Sequence, residues 1–168
     1  MQQIWSPWRS QYIQSFSGES KDEECFLCTA AKSSGERDAE LLIVGRREHC
    51  FIIMNRYPYN AGHLLITPYR HVGEFSEVTP EELTCIMTTL QETTAILEKL
   101  LKPHGYNIGA NLGRVAGAGL PSHIHFHIVP RWNGDTNFMP VLADVKVVSE
   151  SMEEMHAKLH AEFLKAGA

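Results

Sequence analysis

Hydrophobic and polar positions change period several times along this chain, and the changes divide it into elements. Leu41-Leu42-Ile43-Val44, Cys50-Phe51-Ile52-Ile53-Met54 and Leu64-Leu65-Ile66-Thr67 are short apolar runs. Gly45-Arg46-Arg47-Glu48 and the turn-forming segment from Asn55 to Gly62 separate them, which predicts strands of an antiparallel meander. After Thr79 the period lengthens, with Leu83, Ile86, Met87, Leu90, Leu97 and Leu101 at helical spacing. Thr79-Pro80-Glu81-Glu82 supplies an N-cap, a first-turn proline and the glutamate of a capping box, while Pro103 and Gly105 stop the helix. Strands are expected again at about 105–112 and 123–130, with another near 141–148. Ser151-Met152-Glu153-Glu154 opens a last helix that turns Met152, Met155, Leu159 and Phe163 inward. Upstream, a short helix is expected over 22–33, ending near Gly35. Residues 1–20, with Trp5, Trp8, Tyr12 and Phe16 and the helix-breaking Pro7, read as an extended aromatic arm. A sheet with one apolar face and a long amphipathic helix must bury those faces on each other, so the expected class is α+β, a meander covered by one long helix and a C-terminal helix.

At 168 residues the chain suits a single domain. No apolar run approaches the roughly 20 residues of a membrane span, so no membrane association is expected. The N-terminus lacks the apolar stretch of a secretory signal, and a reducing cytoplasm is the expected location. Disulfides are then not expected, and Cys50 and Cys85, in apolar surroundings, read as small hydrophobes. A net charge of -5 argues against a general nucleic-acid binder, which needs a basic face for phosphates. Any anionic ligand must therefore be held by a local site. Composition leaves one oddity, nine histidines.

Three of them stand in His123-Ile124-His125-Phe126-His127-Ile128-Val129. Period 2 in a strand sends the imidazoles to one face and Ile124, Phe126 and Ile128 to the core. They could be idle on a solvated face or hold a metal, but three in-line strand positions spread too far to converge on one ion without a bend. One imidazole acting as nucleophile or base, oriented by its neighbours, fits the spacing better. The segment from Asn111 to Ser122, with Gly113, Gly117 and Gly119, leads into this strand. Glycines let backbone N–H groups turn toward an anion, so the loop reads as a phosphate nest. Imidazole attack on phosphorus, giving a phosphoramidate that a second acceptor discharges, is the chemistry this adjacency suggests.

The triad followed by Pro130-Arg131, together with Asn111-x-Gly113, Asn55-Arg56 and Gly62-His63-Leu64-Leu65-Ile66-Thr67-Pro68, resembles the histidine triad family of nucleotide hydrolases and transferases. Residues 22–132 resemble the family core within a single domain over 1–168, with 133–168 a C-terminal extension. The Trp5-Ser6-Pro7-Trp8-Arg9 stretch and the run from Pro130 to Pro140 are similar to its diadenosine tetraphosphate phosphorylase-like branch. The resemblance implies a nucleotidyl transferase or hydrolase acting on dinucleoside polyphosphates, with phosphorolysis favoured over hydrolysis and no cofactor required for the chemistry. His125 would become nucleotidylated, His127 would contact the phosphate or the departing group, and His123 would hold the geometry from behind. Asn55 would face the ribose, while Asn111, Gly117, Gly119 and Ser122 would cradle phosphate. Where many members read Gly-Gln-Ser/Thr-Val, this chain has Gly119-Leu120-Pro121-Ser122, and the phosphorylase-like branch has a similar Gly-Leu-Pro. The family is generally dimeric, so a homodimer is implied.

Cys25-x-x-Cys28 is half a zinc site, a redox pair or two buried thiols by spacing alone. Similar bacterial members complete such a motif with the residues that here are His71 and His123, which implies a structural zinc. His63 is expected beneath the triad or as a core histidine, and His156 and His160, at an i, i+4 spacing compatible with metal, are expected to stand without ligand on a solvated Glu- and Lys-bearing face of the last helix. A nucleotide- or metal-binding sensor without turnover is the alternative function.

Overall fold

A computed structural model describes residues 25–135 and 151–166. The aromatic arm and the strand expected near 141–148 lie outside these residues. Five strands, β1 (Ile43–Arg46), β2 (Cys50–Met54), β3 (Leu64–Pro68), β4 (Gly105–Ala110) and β5 (Phe126–Arg131), form one antiparallel sheet in the order β1-β2-β3-β5-β4. Only the first three make the expected meander, because β5 returns between β3 and β4. Among the described residues four α-helices accompany the sheet: α1 (Phe26–Lys32), α2 (Asp38–Leu41), α3 (Pro80–Leu101) and α4 (Met152–Ala166). None of them is long and apolar enough to cross a membrane.

The start of α3 follows its sequence, since Thr79 and Glu82 form the capping box in both directions. Glu82 also pairs with Arg70 at 2.8 Å, which fastens the helix start to the segment after β3. Two registered rows of side chains show how the sheet is covered. Ile52, Ile66, Phe126 and Ala110 lie side by side under α3 and α4, in the core that also takes Ile124 and Ile128. Burial of each large side chain here contributes about 1.5–3 kcal/mol. On the opposite face, Ile43, Ile53, Leu65, His127 and Gly109 form the next row. There Leu27 and Ala30 of α1 cover the apolar end over β1 to β3. The row thus runs from packed aliphatics to an imidazole and then to a position with no side chain.

Helix α4 turns Met155, Leu159 and Phe163 inward as expected, and only its two histidines depart from the sequence expectation. His156 is buried, and its Nε2–H donates to the Ile43 carbonyl at 2.8 Å, while His160 Nδ1–H donates to the Val44 carbonyl at 3.2 Å. The two rings stack 5.5 Å apart. β1 is an edge strand among the described residues, and these imidazoles give partners to two of its carbonyls. The solvated face is the one carrying Glu153, Glu154 and Lys158.

Candidate active site and metal cluster

The triad begins before its strand. β5 starts at Phe126 rather than at His123, because the preceding main chain finds partners outside the ladder. The Ile124 N–H donates to the Val72 carbonyl at 2.7 Å, and the buried Thr67 hydroxyl donates to the Ile124 carbonyl at 2.8 Å. Alternation of side chains survives this bend, so Ile124, Phe126 and Ile128 enter the helix-covered core while the histidines take the other face.

Hydrogen bonds assign the protons. His125 Nδ1–H donates to the His123 carbonyl at 2.9 Å, which leaves the lone pair on Nε2. Next to it, with ring centroids 5.0 Å apart, stands His127. The Tyr59 N–H donates to His63 Nδ1 at 3.1 Å, so the His63 proton is on Nε2 and goes to His127 Nδ1 at 2.9 Å. The His127 proton is therefore on Nε2, a buried atom without a hydrogen-bond partner among the described residues. A lone pair and an N–H thus stand side by side, the arrangement that nucleophilic attack and leaving-group stabilisation require.

Burial pushes all three imidazoles below their ordinary pKa, and His127 falls to about 4, with the neighbouring His125 a lesser cause. They are neutral at pH 7. Between about pH 6.5 and 4 the unfolded imidazole binds a proton that folded His127 refuses, so stability should decrease as pH falls through that window. Urea midpoints measured from pH 7 to 4.5 check this, and His127→Asn should give a shallower decline.

Beside His127 opens a cavity of about 450 Å³ over β4 and β5, lined by Tyr59, Asn107, Gly109, Asn111, His127 and Arg131 among others. A Cβ at Gly109 would meet nothing within 4 Å, so the missing side chain leaves the sheet bare here. Arg131 is held by a bidentate pair with Asp135, which also takes the Asn60 amide and lies well below the usual carboxylate range for these reasons.

Of the predicted binding residues, Asn111 lines this cavity, and its amide donates to the Gly117 carbonyl at 3.3 Å. Gly117 has φ 92 and donates its own N–H to the Arg114 carbonyl, so it turns the loop and its amide is already engaged. Gly119 and the exposed Ser122 remain as the expected phosphate contacts of the loop. Asn55 does not itself line the cavity but stands behind His63, which bonds the cavity-lining His127. The Asn55 side chain accepts the Tyr57 N–H at 2.9 Å and approaches His63 Nδ1 at 3.4 Å, a pattern that supports the turn carrying Tyr59.

Gly73 went unrecognised in the sequence, where nothing marks it. A Cβ there would lie 2.6 Å from the Pro121 carbonyl oxygen and 3.1 Å from backbone atoms of Ser122, so the chain after β3 and the loop entering the triad touch main chain to main chain. Gly73→Ala must displace that loop. A fall in kcat/KM of about 10²-fold is expected, on the scale of an ångström misplacement of a catalytic array. Near wild-type kinetics would show that the loop tolerates the shift.

On the other side of His123 the structure gathers Cys25, Cys28, His71 and His123, whose ligand atoms all lie within 4.8 Å of one another. His123 Nε2–H donates to the Pro68 carbonyl at 3.0 Å, which turns the Nδ1 lone pair toward Cys25 Sγ at 3.4 Å and Cys28 Sγ at 3.5 Å. Cys28 Sγ is 3.1 Å from His71 Nδ1. Edges of a tetrahedral zinc site with two sulfurs and two nitrogens are about 3.3–3.8 Å; the contacts of 3.1–3.5 Å lie near that range and a shift of about 1 Å brings in the widest pair, so the donor types and the His123 tautomer fit zinc.

Comparison with known proteins agrees with this geometry. The HIT domain family matches residues 36–134. An AP-4-A phosphorylase of Mycobacterium tuberculosis is 33% identical over 98% of this chain and 86% of its own length. A bis(5'-nucleosyl)-tetraphosphatase (asymmetrical) of Schizosaccharomyces pombe is 37% identical over 49% of this chain and 44% of its own. Among solved structures, a Zn-bound histidine triad family protein from Mycobacterium smegmatis superimposes with a TM-score of 0.66 at 23% identity, covering 86% of this chain and 96% of that one. The described sheet, the ordered triad and these matches together place the chain in the HIT domain family.

Proposed function

We propose that this chain transfers a nucleotidyl group from a dinucleoside polyphosphate such as diadenosine tetraphosphate, through a nucleotidyl-His125 intermediate, to inorganic phosphate in preference to water. The observation that carries the reading is the pairing of the His125 Nε2 lone pair with the unpartnered Nε2–H of His127. His125 Nε2 attacks the α-phosphorus, and the bond from phosphorus to the departing polyphosphate breaks. His127 Nε2–H bonds the oxygen that gains charge on this reading, and its hydrogen bond from His63, which fixes its proton on Nε2, supports the role. An acceptor then attacks the phosphoramidate from the side the leaving group has vacated and frees His125. The relatives' activities and the Gly119-Leu120-Pro121 loop support the choice of substrate.

The chemistry needs no cofactor on this reading. Zinc held by Cys25, Cys28, His71 and His123 would be structural, with Asn111, Gly119 and Ser122 as the phosphate contacts and Asn55 toward the ribose. A homodimer in the cytoplasm is the proposed working form; the outer edge of β4, which no other described strand pairs, and the 49% exposed Ile108 support the dimer.

Product analysis tests the proposal. Diadenosine tetraphosphate with millimolar phosphate should yield ADP plus ATP, and sedimentation of the same preparation should give twice the chain mass. Water at about 55 M outnumbers millimolar phosphate some ten-thousandfold, so phosphorolysis demands a bound phosphate beside phosphorus. AMP plus ATP, unchanged by phosphate, would make the enzyme a hydrolase with the same intermediate. No turnover at all would leave a nucleotide-binding module.

A further inference from the structure

Two thiols outside the triad and the metal cluster meet on the helix-covered side of the sheet. Cys50 opens β2 and is fully buried, while Cys85, in the second turn of α3, is partly exposed. Both are free, and their Sγ atoms are 3.1 Å apart. Cys50 Sγ also lies 3.4 Å from the Thr89 hydroxyl, one helical turn beyond Cys85. No third metal-ligating side chain joins them among the described residues. The contact is between sequence positions 35 apart and on two different elements. A disulfide needs the sulfurs about 1 Å closer, a shift that side-chain rotation and a small backbone adjustment supply.

We propose that Cys50 and Cys85 form a modification site, a reversible disulfide made on exposure to a hydroperoxide, which fastens β2 to α3. The partly exposed Cys85 reacts first. Its thiolate attacks the terminal peroxide oxygen, the O–O bond breaks, and the products are Cys85 sulfenic acid and one alcohol, or water when the oxidant is hydrogen peroxide. Cys50 sulfur then attacks the sulfenic sulfur, the S–O bond breaks, and the Cys50 proton leaves with the hydroxyl as water. Two thiols have lost two electrons and two protons, and one hydroperoxide has been reduced by two electrons. Burial holds the Cys50 thiol up to about 12, which keeps this sulfur from reacting with the oxidant and reserves it for the second step. In a reducing compartment the pair rests as thiols.

The test treats the intact protein with near-stoichiometric hydrogen peroxide, alkylates the remaining thiols and maps the peptides by mass spectrometry. A Cys50–Cys85 bridged peptide is expected, with Tm raised by several degrees and both changes reversed by dithiothreitol. The bridge should also form in the Cys25→Ser/Cys28→Ser variant, and if that variant does not fold the wild-type peptide map decides. Cys50→Ser should stop at a Cys85 sulfenic acid that dimedone traps. Recovery of alkylated Cys50 beside over-oxidised Cys85, or of a bridge from either residue to Cys25 or Cys28, would overturn the proposal.

Discussion

His125→Ala should lower turnover of diadenosine tetraphosphate by about 10⁴-fold or more while leaving the fold in place. The large loss follows from the role: with no imidazole Nε2 at this position the covalent route is closed, and water has no comparable nucleophile to replace it. The fold should survive because the imidazole makes its hydrogen bond to the carbonyl only two residues away, and that carbonyl lies in a segment held independently by Val72 and Thr67. The neighbouring Ile124 and Phe126 stay in the core. His127→Ala should cost less, about 10²- to 10⁴-fold, because it removes a hydrogen-bond donor rather than the attacking atom. The measurement is single-turnover kinetics with circular dichroism on the same samples. Retention of more than about a tenth of the wild-type rate by His125→Ala would remove it as nucleophile.

Local rules made much of this site legible in the chain. Strict alternation put the three imidazoles on one face, and the structure keeps that assignment even where the strand itself has not begun. The capping box and the helical period located α3 to within a residue, because both signals are local. Long-range contacts were less visible. That β5 inserts between β3 and β4 depends on pairings 60 and more residues apart, which no local period encodes. Tyr59 is a turn residue by sequence, yet its N–H sets the proton position of His63 and through it that of His127. His156 and His160 looked solvated because the helix alternates them with Glu and Lys. Their partners are carbonyls of an edge strand more than 110 positions earlier. Gly73 is silent for the same reason, since its constraint is the backbone of another segment.

Removal of zinc should act on stability before it acts on chemistry. A metal bound only by the folded chain at free concentrations 1,000-fold above its Kd stabilises by about 4 kcal/mol, which corresponds to roughly 8–16 °C in Tm for a domain of this size. Chelation should lower Tm on that scale. Cys25 and Cys28 lie at α1, His71 follows β3 and His123 precedes β5, so one ion would tie three separate segments where α1 has only modest apolar contact with the sheet. The proposed reacting nitrogens lie beyond His123, and the Pro68 carbonyl, Thr67 and Val72 hold that stretch of chain without the metal. Below the lowered Tm the single-turnover rate should therefore change little. Cys25→Ser should abolish the zinc content and show the lowered Tm with or without chelator, because a serine hydroxyl is a poor zinc ligand. Near-zero zinc by elemental analysis of protein purified without chelator would refute the site. Zinc present in full after Cys25→Ser would instead mean that other residues hold it, and a chemical step lost in parallel with the metal at a temperature where the fold persists would give the ion a catalytic part.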